Sequence, residues 1–160
     1  MENNIVYDSY YLVNKFTKDH KDVTNLQVQK LMYFFECYYM NLNDGQKLYD
    51  CNFCAWAFGP VAIPLYKEYK KFGNNKIELD EKQRKIGEEI SDDKKEVMNQ
   101  IYKVFGNLSP MALVAYTHRE DSPWTKVWER NGEKIKYGSD SYIDKTESMI
   151  WFRNVFTKES

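Results

Sequence analysis

Cys51-Asn52-Phe53-Cys54 is the first place in this chain where residue types and spacing could do chemistry. Two thiols two residues apart can form half of a zinc knuckle or a redox pair. A structural zinc site needs four ligands, and a redox pair opens a helix with a depressed thiol pKa. Beyond the pair only Cys37, His20 and His118 remain, and they form no second spaced pair. Three cysteines are also an odd count, which argues against a disulfide framework. Reduced, half-buried thiols fit better. His118, flanked by Thr117, Arg119, Glu120 and Asp121, could serve as a general base with carboxylate support. A base needs a nucleophile, and Ser109, Ser122 and Thr117 are better used as helix caps or helix residues. Neither Gly-x-Ser-x-Gly nor His-Glu-x-x-His occurs. His118 reads instead as a helix C-terminus, its partly charged imidazole facing the negative end of the dipole. No glycine-rich phosphate loop is present either. The expectation is a protein without catalytic residues, cofactor or metal.

Lys67, Lys70, Lys71 and Lys76 form a modest basic stretch with Tyr66, Tyr69 and Phe72 interleaved. At helical spacing the aromatics fall on the opposite face, so the lysines read as a solvated face rather than a phosphate track. A net charge of −1 makes no global claim on nucleic acid or an anionic membrane. No apolar run approaches the ~18 residues of a membrane span. Met1-Glu2-Asn3-Asn4 lacks the basic and apolar parts of a signal peptide, so a cytoplasmic protein is expected. Aromatic residues reach 16 %, enough to furnish both a core and a contact surface. Among the tryptophans, Trp128 beside Glu129 and Arg130 is the best candidate for an exposed anchor. Tyr69, Lys76 and Trp128 are the candidate partner contacts.

The elements that must position these residues are mainly helical. The 160 residues suit one domain, 1–160, built as a compact bundle of about six helices with a short extended or hairpin segment. Helical spacing predicts a first helix over 5–18. Thr24 or Asn25 caps a second to about Leu42, apolar nearly all round and therefore central. Segment 47–53 is either a short strand pair or a loop carrying Leu48, Tyr49 and Phe53 inward. Ala55-Trp56-Ala57-Phe58-Gly59-Pro60-Val61 reads as a buried elbow, because Gly59 and Pro60 break the apolar run. A third helix follows, with Pro60 or Pro64 in its first turn, and stops at Gly73-Asn74. The polar run 74–91 is expected to be mobile or irregular. Asp92 or Asp93 caps a fourth helix ending at Gly106. Ser109-Pro110 and Ser122-Pro123 are two further start signals, the second opening only a short turn. Residues 133–137 are expected to be extended, and a last helix begins at Ser141 or Asp144.

Taken in order, three groups of residues form a recognisable pattern. They are Leu26-x-x-x-Lys30-Leu31-x-Tyr33, then Phe53-x-Ala55-Trp56-x-x-Gly59-Pro60-Val61-x-x-Pro64-Leu65-Tyr66, then Leu108-Ser109 with Thr117-His118-x-x-x-x-Pro123-Trp124. The chain resembles the Panacea, or SocA-like, antitoxin domain from about Asn25 to Val127. That resemblance implies a mostly helical fold and a protein that neutralises a neighbouring toxin by direct contact. One branch of the family acts instead as an adaptor delivering its toxin to an ATP-dependent protease. Phage-associated relatives suggest a further alternative, an inhibitor of a host defence protein. Lys30, Leu31, Tyr33, Trp56, Gly59, Pro60, Val61, Pro64, Tyr66, His118 and Trp124 are the matching motif positions, and each reads physically as structural. The contact surface would then lie elsewhere, in 74–91 or from Trp128 onward. The partner implied is a cognate protein toxin, with a protease possible and neither nucleic acid nor membrane expected.

Overall fold

The computed structural model describes residues 3–159, with side chains to Phe156. Met1 and Glu2, part of the N-terminal reading above, lie outside the described residues, as does Ser160.

Helix α1 (Ile5–Lys18) starts where Asn4 accepts hydrogen bonds from the Val6 and Tyr7 amides. Helix α2 (Asn25–Leu42) starts with a capping box, in which Thr24 and Gln27 satisfy each other's free backbone amides. As its apolar circumference predicts, α2 is the central helix: Val28, Leu31, Met32, Phe34 and Phe35 have no exposed surface. The chain then loops through 43–52, bringing Leu48 and Tyr49 into the core without forming a strand. The elbow is a β-hairpin rather than a simple corner. Strands β1 (Phe53–Trp56) and β2 (Gly59–Ala62) pair antiparallel, Trp56 opposite Gly59, with Ala57-Phe58 as the two-residue turn. Pro60 therefore sits in a strand, where a two-stranded sheet tolerates its missing donor. Pro64 takes the helical-start role, in the first turn of α3 (Ile63–Tyr69). A 3-10 turn (Lys70–Phe72) closes that element before Gly73.

Segment 74–91 is a correction to the sequence reading. It contains α4 (Glu81–Glu88), capped by an Asp80–Gln83 box and packed along α1. Asn14 of α1 donates to the Arg84 carbonyl at 2.9 Å and to the Glu88 carboxylate at 2.8 Å. Ile77 and Leu79 are buried ahead of it. Ser91, not Asp92 or Asp93, caps α5 (Asp92–Phe105). Ser109 and Ser122 cap α6 (Pro110–Thr117) and α7 (Pro123–Arg130) as their sequence signals indicate. Residues 133–137 form no strand, and Ser141 lies in a second 3-10 turn (Gly138–Ser141). Asp144 then accepts from the Glu147 amide at the start of α8 (Lys145–Glu159). Eight α-helices and one hairpin among the described residues make this the mainly helical bundle predicted, with α4 and α7 as the additions.

Helices α5 and α8 both pack on α2. Phe34 is the hub, its ring 4.8 Å from Phe105 and 5.4 Å from Phe152. A buried ion pair ties α8 to α2 and to the loop that follows it. Lys145 of α8 donates to both Glu36 oxygens at 2.6 and 2.7 Å, while Glu36 also accepts from the Leu48 and Tyr49 amides.

Candidate functional site

The motif residues converge on the hairpin. Lys30 projects from α2 with no exposed surface, and its ammonium donates to the Pro60 carbonyl at 2.8 Å. Among the described residues no carboxylate is within ion-pair distance, and burial pushes its pKa from 10.5 down to about 7. Its neighbour Gln29, equally buried, accepts from the Ala62 amide at 2.9 Å. Two consecutive residues of α2 thus grip strand β2. Gly59 has φ +109°, a conformation L side chains rarely adopt, and a Cβ there would stand 2.7 Å from Thr117 Oγ1 and 2.8 Å from Lys30 Cε. The glycine is required for both reasons, backbone and space.

The far side of the hairpin is held by α6 and α7. Trp124 donates its indole N–H to the Trp56 carbonyl at 2.7 Å. His118 stacks on Trp124 at 3.6 Å with 6° between the rings, and Trp128 stacks beyond at 5.4 Å. The His118 amide closes α6 on the Val114 and Ala115 carbonyls, so its place at the helix end is as predicted. Its charge is not. Burial first, and the Lys30 charge second, hold the imidazole below its ordinary pKa, which favours the neutral ring over a dipole-bound cation. His118 Nε2 is buried without a hydrogen-bond partner. The hydroxyls near it are engaged elsewhere: Thr117 donates to Val114 and Ser122 to the Thr117 carbonyl. A base holding a nucleophile's proton is therefore not the geometry found.

The remaining motif positions are spread more widely. Leu31 and Val61 are core residues. Tyr33 points toward α8, donating to Ser148 at 2.7 Å, with its ring against Phe53. Tyr66 meets Trp56 edge to face at 5.2 Å and is 39 % exposed, so it does not turn inward with Tyr69, away from the lysines, as the helical spacing suggested. The three candidate contacts fare differently. Tyr69 is fully buried and hydrogen-bonded to Ser9, so its side chain is not offered to a partner. Lys76 is exposed and paired with Glu78 at 3.6 Å. Trp128 is half-buried in the Trp124 stack. Sequence reasoning missed Gln29 and Phe58. Phe58, 58 % exposed at the hairpin tip, had one available signal: two residues flanked by a strand-like run and Gly59.

Cys54 is buried opposite Val61, Cys37 lies in the α2 core, and Cys51 is half-buried. Burial pushes all three thiols above their ordinary pKa. Among the described residues no group of three His, Cys, Asp or Glu is placed to hold a metal ion, and no helix is long and apolar enough to cross a membrane.

The family model of the antitoxin SocA-like, Panacea domain matches residues 28–125, from within α2 to within α7. It therefore spans the hairpin together with Gln29, Lys30, His118 and Trp124, whereas the Ile143 amide, which donates to the Phe53 carbonyl at 2.9 Å, lies outside it. Neither the curated proteins nor the solved structures compared with this chain give a match.

Proposed function

The chain belongs to the family of SocA-like antitoxins with a Panacea domain, and on that premise we propose that it neutralises a cognate protein toxin by binding it directly. The match over residues 28–125 carries this reading. The site geometry supports it in a particular way. Lys30, Gly59, His118 and Trp124 are consumed in fixing a hairpin whose tip residue stands in solvent. A rigid projecting element is suited to recognition, because little ordering entropy remains to be lost on binding.

The test is co-expression with the product of the gene encoded beside it. Restored growth together with co-purification of the two proteins is the expected result. Restored growth with no stable complex and falling toxin levels would point to delivery to a protease instead. No rescue by well-expressed, folded protein would overturn the antitoxin reading and turn attention to another target, such as a host defence protein.

A further inference from the structure

The hairpin meets α3, and the 3-10 turn that closes it, through the contact of Trp56 with Tyr66. Phe58 stands at the tip, Trp56 is half-buried behind it, and Tyr66 packs on Trp56 while remaining partly exposed. Lys67, Lys70 and Lys71 follow at one-turn spacing and are all exposed. None has an ion-pair or hydrogen-bond partner among the described residues. Glu68, the only acid in that stretch, turns its carboxylate away to Tyr10 and Gln83. In a chain of net charge −1 this is a local surplus of positive charge beside exposed aromatic surface.

We infer that this face, Phe58 and Tyr66 with Lys67, Lys70 and Lys71, docks an acidic segment of the partner protein that carries an apolar or aromatic anchor. The inference rests on the antitoxin reading for the partner's identity. The charge of the face sets the partner's sign, since complementary potentials steer encounter and fix register. The aromatics set the anchor, since desolvated aromatic contacts carry most of the energy of an interface. Single-stranded nucleic acid suits the face less well. Tracking a nucleic-acid backbone takes a longer row of phosphate contacts than three lysines supply.

The test compares wild type with Lys67→Glu/Lys70→Glu/Lys71→Glu and with Phe58→Ser, each checked for unchanged helicity by circular dichroism. Lys67→Ala/Lys70→Ala/Lys71→Ala replaces the reversal if that variant does not fold. The first readout is fluorescence anisotropy with a labelled peptide rich in Glu and Phe, a counterpart with Lys for Glu, and oligo-dT. Binding of the acidic peptide alone is expected, weakening with salt and falling by at least about tenfold in the charge-reversed protein. No binding of the acidic peptide, equal binding of the basic one, or tighter binding of oligo-dT would each overturn the inference. The second readout is growth rescue. If wild type rescues and the variants do not, the face is the docking surface. If the variants rescue equally well, the docking inference fails while the antitoxin reading stands. If wild type fails to rescue, the antitoxin reading falls and the peptide titration alone decides the face.

Discussion

Lys30 is the residue on which the hairpin turns, and its burial makes it visible in a titration. An amine with a pKa near 7 in the fold and 10.5 when unfolded binds more protons in the unfolded chain between those values. Stability therefore rises with pH across that window, by up to ~1.4 kcal/mol per unit for this one group. The gain is complete above the unfolded pKa and is lost as pH falls toward 7. Lys30→Met, with a similar stem and no charge, should remove this slope. Urea denaturation at several pH values, read as wild type minus variant, isolates it from the buried tyrosines, whose raised pKa values act in the opposite direction. An unchanged slope would mean that Lys30 titrates as in water. His118→Ala should behave differently. It loses the stack on Trp124, about 0.5–1.5 kcal/mol, and keeps growth rescue, since the imidazole holds no nucleophile's proton. Lost rescue in a stably folded His118→Ala protein would give the ring a chemical role. The motif positions themselves were legible in the sequence, but not what gathers them. Lys30, Pro60 and the His118–Trp124 pair lie far apart in the chain, and no local period announces that a lysine with a polar head will be sealed against a carbonyl thirty residues on.

Helix starts were legible because each is a local contract between one side chain and one amide: Asn25 after Thr24, Pro110 after Ser109, Pro123 after Ser122. Helix α4 was not, because what makes it a packed element is a contact with α1 rather than its own apolar face. Gly87 permits that contact. A Cβ there would stand 2.7 Å from the Tyr10 carbonyl carbon and from the Tyr11 amide nitrogen, both backbone atoms that cannot rotate away. Gly87→Ala should therefore push α4 off α1 and cost about 1–3 kcal/mol, despite the better helix propensity of alanine. Thermal melting decides between these, since propensity alone would make the variant more stable. Gly59→Ala should destabilise as well, by about 1–3 kcal/mol from the backbone conformation before any clash is counted. The two substitutions differ in where they act. Amide exchange should loosen 81–88 in the first and the hairpin amides in the second. The elbow's glycine and prolines were readable as a break, but the pairing of Phe53–Trp56 with Gly59–Ala62 was not. Strand pairing depends on the partner's register, and the Gln29 and Lys30 groups that hold β2 come from another element.

The family match covers 28–125, yet the core does not stop at those bounds. Helices α1 and α8 lie wholly outside it, and both pack on α2. From α8, Phe152 and Trp151 cover Phe34, and Ser148 accepts from Tyr33. From α1, Ser9 meets buried Tyr69, and Asp8 receives both Tyr49 and Lys94. The Glu36–Lys145 pair states the dependence most sharply. Both groups are buried, at 3 % and 8 % exposure, so neither can fall back on water if the other is removed. Lys145→Met should cost about 3–5 kcal/mol, because it strands a buried carboxylate. Adding Glu36→Gln should recover part of that loss, because the amide still accepts from the Leu48 and Tyr49 amides without carrying charge. Chemical denaturation of the two single variants and the double variant measures the coupling directly, and strict additivity would show that the pair is solvated after all. The same reasoning sets the size of the folding unit. A fragment of 28–125 would expose the rings of Phe34, Tyr33 and Tyr69 and leave Glu36 without its cation. Such a fragment should show no cooperative thermal transition, whereas the full chain should show one. A cooperative transition in the fragment would mean that α1 and α8 are additions to a core already complete, and the single-domain reading of 1–160 would give way to a smaller unit.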